Sequence, residues 1–149
     1  MELDPNGLEI LDRDECMRLL RSQVLGRIGV TVDAHPVVLP VNYHLFDGQL
    51  VIQTGQGTRL AAGTDRTVVA FEVDDVDVRG HGWSVALTGI ALEITDPDMI
   101  DELRTLPFTR WVRTNRDRYV GISLDTMSGR RMTRTVPQPG PEPLPRDLG

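Results

Sequence analysis

Lysine is absent. All 16 basic side chains are arginines, so an anion held by this chain meets a planar multi-donor fork and not the point charge of an ammonium. Cysteine is reduced to Cys16, which excludes a disulfide framework and makes a reducing cytoplasm the expected compartment. No H-x-x-x-H or C-x-x-C spacing occurs, so the common metal-ligand patterns are missing. Positive charge is short overall. The formal net charge of -6 argues against nucleic acid or an anionic membrane as the default partner. No apolar run approaches the ~18 residues of a membrane span. Met1-Glu2-Leu3-Asp4-Pro5 is acidic where a signal peptide is basic. Internal repeats are absent too.

The 149 residues fit one domain with a substantial core. The expected division is residues 1–136 as the folded domain and 137–149, rich in proline, as a disordered tail. Residues 12–22 read as a helix: Asp12 caps it, Glu15 stands three residues later, and Cys16, Leu19 and Leu20 form its apolar face. From Val24 the apolar period changes to two, with Ile28, Val30 and Val32 on one face and a turn at Asp33-Ala34-His35-Pro36. "VVLPVNYHLF" reads as a second strand. Pro40 inside it marks an edge, a bulge or an opening, because proline cannot donate to a ladder. Asp47-Gly48 is a hairpin signal leading to "QLVIQT". "TVVAFEVDD" and "GWSVALTGIALEIT" follow as strands, the latter bent at Gly89. Asp96-Pro97 opens a further helix, and "RYVGISLDTMSGRRMTR" makes the last strand, bulged near Gly129. Six strands in hairpin-rich order with small helices between them predict a mainly β protein, an antiparallel barrel with helical inserts.

The stretch "VIQTGQGTRL" carries the most chemistry. Gly55 and Gly57 let a backbone approach an anion closely, Thr54 and Thr58 add hydroxyl donors, and Arg59 adds a charge-assisted contact at a helix start. The same residues also suit an ordinary strand–turn–helix junction.

Taken in order, "PVNY", "TGQGTRL", "VAFEVDD" and "GWSV" with its following "TG" resemble the pyridoxamine 5′-phosphate oxidase-like family over roughly Leu8 to Arg134. The resemblance implies a six-stranded antiparallel split β-barrel with small flanking helices. It further implies a homodimer that holds FMN at the subunit interface, with the Thr54–Arg59 turn on the phosphate. Pro40, Val41 and Asn42 would run beside the flavin ring, Val41 and Asn42 presenting backbone groups to its polar edge. Ser84 lies where the oxidases place a glutamine that bonds the flavin, and Trp83 precedes it, so that either would touch the cofactor. Trp83 also suits a rim or interface anchor, and "PVNY" also suits a plain strand end. Two departures stand out. Leu60 occupies the place of a lysine, and "VVLPVNYH" supplies no cation where the oxidases bring an arginine and a lysine. The arginine- and histidine-containing motif with which the oxidases bind pyridoxamine phosphate is missing from the C-terminal part.

The expected function is therefore an FMN-dependent oxidoreductase passing hydride or electrons to a small-molecule acceptor, not a true pyridoxamine phosphate oxidase. No side chain is expected to act as catalyst, since the flavin supplies the reactivity. The deazaflavin F420 is the alternative cofactor, and a non-catalytic flavin or haem binder the alternative class; His44 is the one tempting axial ligand. Arg130 and Arg131 point to opposite faces of a strand, so one of them either reaches a pocket or stays solvated. The acidic run at Glu72, Asp74, Asp75 and Asp77 reads as a solvent face, and "RWVRTNRDRY" as a short basic patch.

Overall fold

The computed structural model describes residues 1–108, 118–132 and 140–141. Its elements are β1 (Glu9–Leu11), α1 (Arg13–Arg21), β2 (Leu25–Val32), β3 (His35–Asn42), β4 (His44–Phe46), β5 (Gln49–Thr54), α2 (Arg59–Gly63), β6 (Thr67–Val76), β7 (Gly82–Glu93), α3 (Pro97–Leu103), β8 (Arg118–Ser123) and β9 (Thr126–Met132). The sequence-predicted tail from 137 falls almost wholly outside the described residues, as does most of the basic "RWVRTNRDRY" stretch.

Local chemistry sets the boundaries. Asp12 accepts from the Glu15 amide at 2.9 Å and starts α1, whose buried stripe is Cys16, Leu19 and Leu20. Two hairpins turn on two residues each. Asp33 and Ala34 have φ of 49° and 63°, and Asp47 and Gly48 have φ of 52° and 73°, the positive angles that a right-twisted hairpin requires. The first turn is tighter than expected, since His35 and Pro36 already pair with Val32 and Thr31.

Antiparallel pairing gives the strand order β3-β2-β6-β7-β8-β5-β4. The first and last strands of that path are consecutive in sequence and separated by Tyr43 alone. The sheet must therefore curl round on itself, and it forms a split barrel. Tyr43 is the seam: its amide donates to Val24 O at 3.1 Å and its hydroxyl to Leu20 O at 2.7 Å. This departure from the ladder divides the single expected strand "VVLPVNYHLF" in two. Pro36 and Pro40 are tolerated because β3 ends the path and pairs only with β2 among the described residues.

The last expected strand also divides. β8 pairs with β5 and with Ala91–Glu93 at one end of β7, whereas β9 pairs with Gly82–Thr88 of the same strand and with β1. The switch falls at Gly89, where a Cβ would collide with the Ser123 carbonyl. The break lies at Leu124–Asp125, not at Gly129. Gly129 is instead where α1 packs, and a Cβ there would come within 2.6 Å of Cys16 Sγ. With the short β1, nine strands among the described residues replace the expected six.

The barrel interior is filled by Leu20, Ile28, Leu50, Ile52, Phe71 and Val85 and their neighbours. A smaller cluster of Val51, Ile94, Leu103 and Tyr119 seats α3 outside the wall. α2 lies against β2 through Gly63, where a Cβ would sit 2.6 Å from Val30 Cβ. Gly63→Ala is expected to destabilise the protein by ~1–3 kcal/mol through overpacking, read as a lower urea midpoint at unchanged m-value.

Candidate functional site

β5 delivers Thr54 to the end of the barrel, where it is 1% exposed and its hydroxyl has no hydrogen-bond partner among the described residues. An unbonded buried hydroxyl in a native structure calls for a partner, whether water, an ion or a ligand. The turn that follows is held from within. Thr58 Oγ1 donates to Gly55 O at 2.8 Å and accepts from the Ala61 amide at 3.1 Å, capping α2. Its proton is thus committed to the loop and not offered as the free donor that the sequence suggests. Gly57 has a φ of 76° with open space where a Cβ would stand, leaving the backbone approachable. Arg59 is exposed and makes no ion pair or hydrogen bond with a described residue. α2 has only five residues, so the expected help from a helix dipole is small. Anion attraction here rests on Arg59.

A cleft of about 230 Å3 opens beside Thr54, between α2 and the ends of β7 and β8. Strand register sets Arg118 directly opposite Thr54, and its guanidinium lies 3.9 Å from Glu93. Sequence reading missed Arg118, because only the β5–β8 pairing brings it to this turn. That pairing leaves no local signature in the chain.

Of the other predicted residues, Pro40, Asn42 and Ser84 lie on the convex outer face, whereas Val41 and Trp83 turn inward. Successive register pairs align Pro40 with Arg27, Arg27 with Glu72, Glu72 with Ala86 and Ala86 with Ser128. One step along, Asn42 and Ser84 share that face, because side chains alternate with period two. Asn42 Nδ2 donates to Val24 O at 3.1 Å. Val41 is 3% exposed with its side chain in the core, so only its backbone is available to a ligand. Trp83 points the other way from Ser84 and packs against the main core. A shallow groove of about 360 Å3 crosses this outer face, walled by Val38, Ala70, Ala86 and Thr88 with Arg27 and Glu72 at its side.

Within one copy these two sets are far apart. Ser84 and Glu93 are separated by nine residues of β7, roughly 30 Å of extended chain. The structure gathers Thr54, Gly57, Thr58 and Arg59 at one end and Ser84 at the other.

Both arginines left open by the sequence are engaged. Arg130 donates from Nε to Asp4 at 3.1 Å, and Asp4 in turn accepts the Asn6 and Leu8 amides. Arg131 reaches Glu9 at 3.5 Å and Glu15 at 2.5 Å. Together they fasten the N-terminal segment and α1 to β9. His44 is engaged too. Its Nε2 donates to Pro107 O at 3.0 Å and its ring meets Phe108 edge to face at 4.6 Å between centroids. Tyr43 and Cys16 are buried, so none of the three presents a free axial ligand to a cavity. Among the described residues no three His, Cys, Asp or Glu side chains gather as a metal set. None of the described helices is long and apolar enough to cross a membrane. The expected solvent face at Glu72–Asp77 is partly something else: Glu72 and Asp74 both pair with Arg27.

A family model described as pyridoxamine 5′-phosphate oxidase matches residues 12–131. The chain belongs to this family. Among similar proteins, Uncharacterized protein Rv0080 of Mycobacterium tuberculosis is 37% identical over 82% of this chain and 84% of its own. The FAD binding protein from Mycobacterium smegmatis is 32% identical with a TM-score of 0.69, covering 82% of this chain and 95% of that one. A conserved protein of unknown function from Corynebacterium diphtheriae, DIP1874, is 30% identical with a TM-score of 0.69 over 86% and 98% of the two chains. Against the family pattern, Leu60 stands in place of the oxidases' lysine and is only 6% exposed, so that position packs and offers no charge.

The Arg131 clamp has a pH signature. Hydrogen bonds from Arg18 and then Arg131 hold the Glu15 carboxyl down to about 2, against 4.5 ordinarily. A depressed carboxyl contributes stability that is present above its unfolded value and disappears as pH falls through its folded value. Arg131→Gln should therefore begin acid unfolding at higher pH than the parent, within the window from about 4.5 to about 2, as followed by circular dichroism. Coincident acid transitions would contradict the clamp.

Proposed function

We propose that this protein is a flavin-dependent oxidoreductase acting on a small molecule. The observation that carries the reading is the set at the end of β5. A buried Thr54 hydroxyl without a partner among the described residues and an unengaged Arg59 flank a loop whose Gly57 leaves its backbone open. These groups fit the anionic tail of a flavin nucleotide, though with Arg59 as the one cation there that does not face a carboxylate, where the family's oxidases have several. Arg59 would neutralise the tail, Thr54 would donate to it, and the loop, already braced by Thr58, would lose little conformational freedom on binding. When bound, the flavin supplies hydride transfer at its N5, so the chain need only position it, exclude water and leave one ring face open.

FMN satisfies this site. FAD is favoured as a second reading by the Mycobacterium smegmatis relative, a FAD binding protein at 32% identity, and by the thin charge at the turn. F420 would meet the same turn. Pyridoxamine phosphate oxidation is not the proposed reaction, because no histidine follows His81 in the sequence and the substrate motif of the oxidases is missing. A homodimer in a cytoplasmic setting completes the reading. Ser84, Pro40 and Asn42 share the outer face, and a second copy laid on it would bring one copy's Ser84 toward the other's turn, closing the separation that one copy leaves along β7.

Mass spectrometry of the molecule released from purified protein would distinguish FMN, FAD and F420, and absorbance after adding reduced nicotinamide would report electron transfer. Arg59→Ala should weaken FMN binding roughly ten- to hundredfold, the loss of one charge-assisted hydrogen bond, and leave riboflavin, which lacks the phosphate, unaffected. Equal FMN retention by the variant and the parent would reject the cradle.

A further inference from the structure

Five strands, β3, β2, β6, β7 and β9, present the outer face. At ~4.8 Å per strand and about seven residues per row the face covers roughly 550 Å2 on flat measure. A standard interface takes ~800 Å2 from each partner, so this face supplies the larger share of one. Val38 is 68% exposed, Val68 66%, Ile90 45% and Leu92 51%, and exposed apolar side chains gathered on one face mark association surfaces. A second copy is the occupant proposed for this face, and the proton linkage inferred for it rests on that homodimer reading.

In the middle of this apolar face lies an unbalanced charge group. Arg27 Nη1 is 3.1 Å from Glu72 and 3.2 Å from Asp74, one guanidinium for two carboxylates. The neighbours facing them are Pro40 from β3, Ala86 and Ser84 from β7 and Ser128 from β9, none of them charged. The next charged groups are Arg130 and Asp4, which satisfy each other. Already in the single chain, burial and the adjacent Asp74 carboxylate push the Glu72 carboxyl up, with Arg27 opposing.

Covering the face removes water from a triad of net charge minus one, and an uncompensated charge is expensive out of water. One proton shared between the two carboxylates cancels that charge and keeps all three side chains hydrogen-bonded. We propose that the contact between copies is proton-linked: joining the outer faces takes up a proton on each Glu72–Asp74 pair, so the dimer tightens on acidification and loosens toward neutral pH. The sign follows from linkage, since the covered state binds more protons than the free state. Each proton taken up changes the association constant by at most about tenfold per pH unit.

The test is the dimer dissociation constant of the protein as purified, measured by dilution with sedimentation or fluorescence readout at about pH 5 and about pH 7.5. The wild type should bind itself at least about tenfold more tightly at the lower pH. Glu72→Gln, which is neutral at both, should be tight and flat across the range, and Asp74→Asn should behave alike. Both lie on an exposed strand face, and unchanged circular dichroism would verify folding. A wild-type dimer indifferent to pH, or a Glu72→Gln dimer that keeps the slope, overturns proton linkage and leaves the dimer standing. A wild type that stays monomeric at every concentration overturns the coverage of this face and the inference with it.

Discussion

Closure of the barrel across Tyr43 is the constraint on which the rest depends. The path of paired strands starts at β3 and finishes at β4, and only that residue lies between them. Its ring is 2% exposed, meets Phe71 edge to face at 5.0 Å between centroids, and anchors by its hydroxyl to the end of α1. A two-ended sheet becomes a cylinder with a sealed interior. One wall is left as a broad exterior surface, and the turn after β5 is set at the rim. The thermodynamic weight lies in the apolar interior, but the shape is dictated at the seam.

Much of this was legible in the chain. The α1 cap, the Asp47-Gly48 hairpin, the α2 start at Thr58 and the bend at Gly89 are local events, written in residues that are near one another. What escaped reading depends on partners distant in sequence. Nothing near Tyr43 states that its amide will bond Val24 O, and nothing between Ser123 and Thr126 states that β7 will exchange one neighbour for another at Gly89. Strand count was therefore too low while fold class was right. At the site the same division holds. The turn itself was readable, but the commitment of the Thr58 proton, the opposition of Arg118 to Thr54 and the inward turn of Trp83 come only from register and packing.

The exterior wall and the rim turn solve different problems. The wall is apolar with a small charged centre, suited to another protein surface. The turn is polar, braced and sparing in charge, suited to one end of a small anionic molecule. Their separation along β7 means that neither alone makes a complete binding site for a molecule with an anionic tail and a flat ring system. The two arginines near the C-terminal end of β9, superficially the best additional cations, are consumed in fastening the amino-terminal segment, so they do not alter that balance.

Leu60 shows how such thin charge becomes fixed. It lies in the barrel interior beneath the turn, one position past the cation of that turn. Restoring a lysine there would place an ammonium among hydrocarbon neighbours, where its pKa would fall and the helix would tilt to release it. Packing closes that position to a further cation. A further cation beside that turn has to come from a position whose side chain faces solvent, as Gln56 does.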